Sequence, residues 1–240
     1  MKAMIFAAGL GTRLRPLTDT MPKALVPVNG QPLLHHLLTK LQHAGCTHAV
    51  VNVHHHASQI IEYVKQHDYG MKIEISDERD MLLDTGGGLR KAASLLDGNE
   101  PILVHNVDIL SNLDFDLLLQ QHQPDRLATV VVSKRDTSRY LLFDSDMRMQ
   151  GWTNIHSGEV KPQDLDTTSL QRAAFAGIHI VSPRIFAPLH TMPDKFSIID
   201  FYLQAMNNHR IIGYTPPGFA MLDVGKVDSL APAEEFVKRL

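Results

Sequence analysis

The chain opens Ala3-Met4-Ile5-Phe6-Ala7-Ala8-Gly9-Leu10-Gly11-Thr12-Arg13, an apolar run that empties into a glycine turn. Ala3 to Ala8 has the length and composition of a buried strand. At Gly9 and Gly11 the missing side chains let backbone amides approach an anion closely. Arg13, Arg15 and Lys23 follow within one short stretch. A strand ending in such a turn, beside fixed positive charge, is suited to hold phosphate.

Two common phosphate loops do not match. A P-loop needs Gly-Lys-Ser/Thr after its second glycine, which is absent here. A dinucleotide fingerprint needs a third glycine where Leu14 stands, followed directly by a helix. Pro16 and Pro22 instead keep the segment irregular.

Outward from this turn, apolar strands and helical patterns alternate. Pro32–Ala44 reads as a helix with Leu33, Leu34, Leu37, Leu38 and Leu41 on one face, ended by Gly45. Strands are predicted at Ala49–Val53, Met71–Ser76, Ile102–His105 and Ala128–Ser133, and helices at Ser58–Gln66 (capped by Ser58), Gly88–Leu96 and Phe115–His122. That rhythm implies a parallel sheet covered on both faces. Later segments are shorter: strands at Tyr140–Phe143, Met149–Trp152 and Glu159–Lys161, then a polar loop from Pro162 to Ser169. Ala173–Val181, Ile211–Tyr214 and Phe219–Leu222 follow as strands, with helices at Ser197–Asn207 and Val227–Leu240. No linker or repeat divides the chain. Residues 1–240 are read as one domain, with a β-rich inserted lobe at about 141–172 on the substrate side.

Composition narrows the function. The 240 residues are 44% hydrophobic and 20% charged, an ordinary globular balance. A net charge of -3 argues against nucleic acid as a partner. No apolar run approaches the roughly 20 residues of a membrane span, and the N-terminus does not read as a signal peptide. One cysteine, Cys46, permits no internal disulfide and fits a reducing cytoplasm.

Two further constellations carry chemistry. Leu83-Asp84-Thr85-Gly86-Gly87-Gly88 is a glycine-rich entry to a helix, where backbone can lie against a flat base or a ribose. Asp108 and Asp223 each follow an apolar strand, and carboxylates at strand ends point into the ligand crevice of a parallel sheet. Together they suit one Mg²⁺ between phosphate oxygens. The run His54-His55-His56 does not suit a zinc site, because neighbours on an extended segment face opposite ways. His105, Trp152 and Phe201 read as packing residues.

Gly9-x-Gly11-Thr12-Arg13-x-Arg15-Pro16, then Pro22-Lys23, resembles the signature of the sugar-1-phosphate nucleotidyltransferases. The resemblance implies a single-domain, Rossmann-like three-layer α/β/α fold with a central mixed, mostly parallel sheet. It implies nucleotide binding by Ala7, Ala8, Gly9, Gly11, Thr12, Arg13, Asp84, Thr85, Gly86 and Asn106. Arg13, Lys23 and Asp108 are the implied catalytic residues, with Arg13 on the pyrophosphate portion and Lys23 near the α-phosphate and the attacking phosphate. Lys23, Glu159, Lys161, Gly177 and Asp223 are the implied sugar-phosphate residues, and Asp108 and Asp223 the Mg²⁺ ligands. The chain departs from the family pattern at Val107, usually glycine, and at Lys226-Val227, usually Thr-Pro.

The implied substrates are an NTP and a sugar 1-phosphate. Chain length and the Asp84 variant resemble the short members that use UTP with N-acetylmuramate 1-phosphate. GTP with mannose or heptose 1-phosphate is the alternative, with Glu78 able to accept guanine's N–H groups. A catalytically silent nucleotide-sugar regulator and a phosphocholine cytidylyltransferase stay open as other classes. An aromatic content of 6% is poor for a quaternary-amine cage. The protein is expected to be cytoplasmic, as a monomer or small homo-oligomer.

Overall fold

In the computed structural model, which describes residues 1–240, the opening apolar run lies in the middle of the sheet. β1 (Lys2–Phe6), β2 (His48–Val53), β3 (Lys72–Asp77) and β4 (Ile102–Asn106) run parallel in the spatial order β3-β2-β1-β4. Strand alternation sends Ala3 and Ile5 to one face and Met4 to the other, and both faces are buried. That is why β1 reads as an unbroken apolar run.

Helices α1 (Leu33–His43) and α2 (Ala57–Gln66) pack on the Ala3 and Ile5 face through Leu34, Leu38, Leu41 and Ile60. Gly45 ends α1 in a left-handed conformation (φ 68°), with the Cys46 amide bonded to the Leu41 carbonyl at 2.9 Å. Helix α3 (Asp84–Lys91) covers the Met4 face through Leu89. The chain thus crosses from one sheet face to the other between β3 and β4. Where the winding reverses, beside β1 and β4, an open sheet leaves a crevice at its strand ends.

Beyond β4 come β5 (Ile109–Ser111), α4 (Phe115–Gln121) and β6 (Arg126–Ser133). β7 (Arg139–Phe143), β8 (Met149–Asn154) and β9 (Glu159–Lys161) lead into the long β10 (Gln171–Val181). β10 lies antiparallel between β4 and β6, and β11 (Arg210–Tyr214) closes that side parallel to β6. β7, β8 and β9 attach to the first half of β10, so the lobe extends the same 10-stranded sheet. Helix α5 (Ile198–Ala205), capped by Ser197, packs beside α3 through Phe201 and Tyr202. The order ends with β12 (Met221–Asp223) and α6 (Leu230–Val237). No helix is long and apolar enough to cross a membrane.

Three sequence expectations need correction. Ser58 does not cap α2: His56 precedes the helix in a left-handed conformation (φ 52°), and Ser58 lies inside the first turn. Helix α3 begins at Asp84 rather than Gly88, because the Gly86 and Gly87 amides bond to the Phe196 carbonyl and hold the glycines helical. The strand ending in Asp223 is not part of the main sheet. β12 pairs antiparallel with β5 alone, matching Asp223 to Ile109.

His105 and His179 are buried in this core, and burial holds both imidazoles down at about 3; His122, half-buried, lies at about 4. Unfolded histidines titrate near ~6.5. Below that pH the unfolded chain takes up protons that the folded chain refuses, so stability falls as pH drops from about 6.5 toward 4. Urea unfolding at stepped pH should show this fall, with a slope approaching ~1.4 kcal/mol per pH unit for each such group. His122→Gln, which keeps a hydrogen-bonding group for Thr129, should make the slope shallower; an unchanged slope would assign the acid sensitivity elsewhere.

Candidate active site

Phe6, the last residue of β1, lies in register with Asn52 on one side and Asn106 on the other. Asn52 Oδ1 accepts from the amides of Ala7 (2.7 Å) and Ala8 (3.2 Å), the first residues of the turn. Its Nδ2 donates to Glu78 Oε1 at 2.7 Å, and Glu78 Oε2 accepts from the Leu83 amide at 3.2 Å. Glu78 is fully buried, and burial pushes its carboxyl up against the opposing pull of Asn52. A polar chain therefore runs from the glycine turn to the entry of α3.

The turn itself is pre-shaped. Gly11 is left-handed (φ 64°), and a Cβ there would stand 2.8 Å from Thr18 Cγ2. Its carbonyl accepts from the Leu14 amide and the Thr18 hydroxyl, both at 2.8 Å. At Gly9 no residue other than its two chain neighbours comes within 4 Å of where a Cβ would be, so that side faces open space. Leu14, Val26 and Val28 anchor the segment in a small apolar cluster with Val224 and Ala233 of α6. The turn borders a cleft of about 470 Å³.

Of the predicted nucleotide residues, Ala7, Ala8, Gly9, Gly11, Thr12, Arg13, Asp84, Thr85 and Asn106 line this cleft, as do Lys23 and Asp108. Gly86 does not; it is buried against the Phe196 ring. Lys23, largely buried, forms an ion pair with Asp108. Asp223 is brought alongside by the β5–β12 ribbon, in which the Val224 amide donates to the Asp108 carbonyl at 2.8 Å. Gly225 makes room between them and Arg13: a Cβ there would stand 2.7 Å from Asp223 Oδ1 and 3.0 Å from an Arg13 nitrogen. Loss of hydration and then the charge of Asp108 push the Asp223 carboxyl up, against the pull of Lys23, Arg13 and Arg135. Two carboxylates that repel each other make a donor set suited to a divalent cation. They would supply only part of its shell, since no group of three or more His, Cys, Asp or Glu is assembled here.

Other predicted residues stand apart from the cleft lining. Arg15 pairs with Asp19 at 3.2 Å. Glu159 and Lys161 lie on β9, paired with each other at 3.3 Å, with the Lys161 ammonium 5.3 Å from the Trp152 ring centre. Gly177 has φ 74° at an irregularity of β10, and a Cβ there would stand 2.6 Å from the side-chain nitrogen Nδ2 of Asn106. It shapes the cleft through Asn106. Lys226 starts the turn into α6, its amide and carbonyl both bonded to Ser229. Val107 lines the cleft.

Sequence reasoning missed Arg135 and Lys195. Arg135 reaches the field of Asp223 and donates to the Phe175 carbonyl at 3.2 Å, while Lys195 lines the cleft. Neither sits in a motif. Asn52, which belongs to none of the motifs read from the sequence, is the clamp of the glycine turn.

The nucleotidyl transferase family model matches residues 2–239. The chain belongs to this family. It is 32% identical over 230 residues to the N-acetylmuramate alpha-1-phosphate uridylyltransferase of Caulobacter vibrioides, covering 91% of this chain and 90% of that protein. It is 35% identical over 201 residues to the mannose-1-phosphate guanylyltransferase catalytic subunit beta of Danio rerio, covering 80% of this chain and 53% of that protein. A putative glucose-1-phosphate thymidylyltransferase from Bacillus anthracis shares the fold, with a TM-score of 0.82 at 18% identity, across 100% of this chain and 96% of that one. The family comprises sugar-1-phosphate nucleotidyltransferases, and its model spans the glycine turn, both aspartates and the lobe alike.

Asn52→Ala should release the Ala7 and Ala8 amides and leave Glu78 Oε1 without its partner. A buried acceptor left unpaired costs about 1–3 kcal/mol, which equilibrium denaturation would read. Calorimetry should show weaker NTP binding in the same variant. Unaltered stability and binding would deny Asn52 the clamping role.

Proposed function

We propose that this chain joins an NTP to a sugar 1-phosphate, releasing pyrophosphate and forming an NDP-sugar. The observation that carries the reading is the convergence of Lys23, Arg13, Asp108 and Asp223 beside a rigid glycine turn. In this reaction an oxygen of the sugar phosphate forms a bond to the α-phosphorus. The bond from that phosphorus to the β-phosphate bridging oxygen breaks, and its electron pair leaves with pyrophosphate. The acceptor is already an anion near neutral pH, so no protein nucleophile is needed. What the protein must do is align two anions and offset their repulsion.

The turn amides and the Arg13 guanidinium suit the polyphosphate, arginine's planar fork matching phosphate oxygens. The Lys23 ammonium is a movable point charge held by Asp108 before substrate arrives, and can pass to the phosphate where negative charge builds up. Asp108 and Asp223 would hold Mg²⁺, which when bound supplies positive charge to phosphate oxygens.

For the substrate pair, the reading favours UTP with N-acetylmuramate 1-phosphate over GTP with mannose or heptose 1-phosphate. Both oxygens of Glu78, the carboxylate suited to guanine's donors, are already held by Asn52 and the Leu83 amide. A uracil can be read largely by backbone groups. The Caulobacter relative, named for uridylyl transfer to N-acetylmuramate 1-phosphate, spans nearly the same length as this chain. A place in the cytoplasm goes with this reading, where NTPs are available and the buried Cys46 thiol stays reduced.

Pyrophosphate release should be faster with UTP and N-acetylmuramate 1-phosphate than with GTP and mannose 1-phosphate. Equal or reversed rates would overturn the substrate pair, and binding without release would make the chain a regulator. Lys23→Ala should lower kcat by ~10²–10³, the scale for losing one transition-state charge contact. In thermal melts Mg²⁺ should raise the Tm of the wild type and leave Asp108→Asn and Asp223→Asn unmoved. A similar rise in all three would place the ion elsewhere.

A further inference from the structure

The glycines of Asp84-Thr85-Gly86-Gly87-Gly88 are expected from sequence to make room for a base or a ribose. The structure fills that room with protein. A Cβ on Gly86 would stand 2.3 Å from the Phe196 ring, and one on Gly87 would stand 2.7 Å from the Asp194 carbonyl oxygen. The first turn of α3 is therefore a flat bed on which Asp194 to Phe196 rests.

Hydrogen bonds fasten that segment from both sides. The Phe196 carbonyl accepts from the Gly86 (3.0 Å) and Gly87 (3.3 Å) amides, and the Phe196 amide donates to the Leu83 carbonyl at 3.3 Å. Thr85 Oγ1 accepts from the Ile198 amide at 2.9 Å. Arg90, one turn further along α3, donates to the carbonyls of Met192 (2.7 Å) and Asp194 (3.2 Å). Backbone this firmly tied gives the residue in its middle a defined position. That residue is Lys195, which lines the cleft.

Its charge is uncommitted. Asp194, the carboxylate next in sequence, is engaged by Arg90 at 3.3 Å, and Lys195 takes part in no ion pair or side-chain hydrogen bond. Lys23, by contrast, is neutralised locally by Asp108. An unpaired ammonium facing a cleft attracts an anion.

We propose that the Gly86–Gly87 bed delivers Lys195 into the cleft as a binding residue for an anionic group, phosphate or carboxylate, of a substrate. The inference rests on the nucleotidyl-transfer reading and adds a residue and a reason for the glycines to it. Two sources could present such a group: the NTP, or the acceptor sugar phosphate with its phosphate and, in a muramate, its carboxylate.

Steady-state kinetics of Lys195→Ala and Lys195→Arg test this, with N-acetylmuramate 1-phosphate and N-acetylglucosamine 1-phosphate as acceptors. The alanine variant should raise one KM at least about tenfold, the scale of a lost charged hydrogen bond, and arginine should restore most of it. A rise in the NTP KM assigns the contact to the nucleotide. A rise for both acceptors assigns it to the sugar's phosphate, and a rise for the muramate alone to its carboxylate. Gly87→Ala should raise the same KM, and adding Lys195→Ala should then change little, because the lysine is already displaced.

Both KM values within twofold of wild type in Lys195→Ala would overturn the proposal. So would effects of Gly87→Ala and Lys195→Ala that multiply. Absence of turnover in the wild type with these acceptors, and also with GTP and mannose 1-phosphate, would instead overturn the transfer reading. Calorimetric titration of wild type and Lys195→Ala with UTP and with inorganic pyrophosphate would then decide whether the lysine binds anions, and equal affinities would reject it.

Discussion

The alignment of Phe6 with Asn52 and Asn106 is the constraint on which the site depends. Parallel pairing on both sides of β1 brings neighbouring strand ends level, so the turn that follows it emerges between two side-chain amides. One of these, Asn52, takes up the first turn amides and passes the constraint on to buried Glu78. A slip of one residue in either pairing would turn alternate side chains to the opposite face and dissolve both the core and the clamp.

Charge in the cleft is arranged by topology rather than by motif. Asp108 follows a central strand, whereas Asp223 arrives on a short ribbon built back onto β5. The backbone bond from the Val224 amide to the Asp108 carbonyl holds the two acidic segments together, against a repulsion that adds to loss of hydration in raising the Asp223 carboxyl. Lys23, Arg13 and Arg135 act on Asp223 and offset part of that repulsion. The opening turn and the Asp223 ribbon also share one apolar cluster, through Leu14, Val26 and Val224. Glycine turn and acidic ribbon are thereby one mechanical unit, which suits the proposed reaction, one that works by holding anions in place.

Glycine has a different reason at each position here. Gly11 needs its left-handed backbone and has no space for a Cβ, while Gly9 leaves a side of the turn open. Gly86 and Gly87 are small because another segment lies on them, and Gly177 because the Asn106 amide does. Composition alone treats these residues as equivalent. Only the first two belong to the turn after β1.

Much of the fold was legible because it rests on local periodicity and on recognisable stops. The apolar run into Gly9-Leu10-Gly11, the leucine face of α1 and the Gly45 terminus are set by side-chain pattern and backbone stereochemistry, which neighbouring residues carry. The glycine turn was legible in the same way, whereas the roles expected of Lys23, Asp108 and Asp223 came from the family resemblance; the structure brings these three side chains together. What the tertiary structure decided was which distant residues meet. Asp223 sits on a ribbon and not in the sheet, Asn52 and Glu78 form a clamp, and the two neighbours of Lys195, Asp194 and Phe196, rest on glycines more than a hundred positions earlier in the chain. Such meetings are fixed by strand order and by the packing of one segment on another, and neither leaves a periodic trace in the sequence.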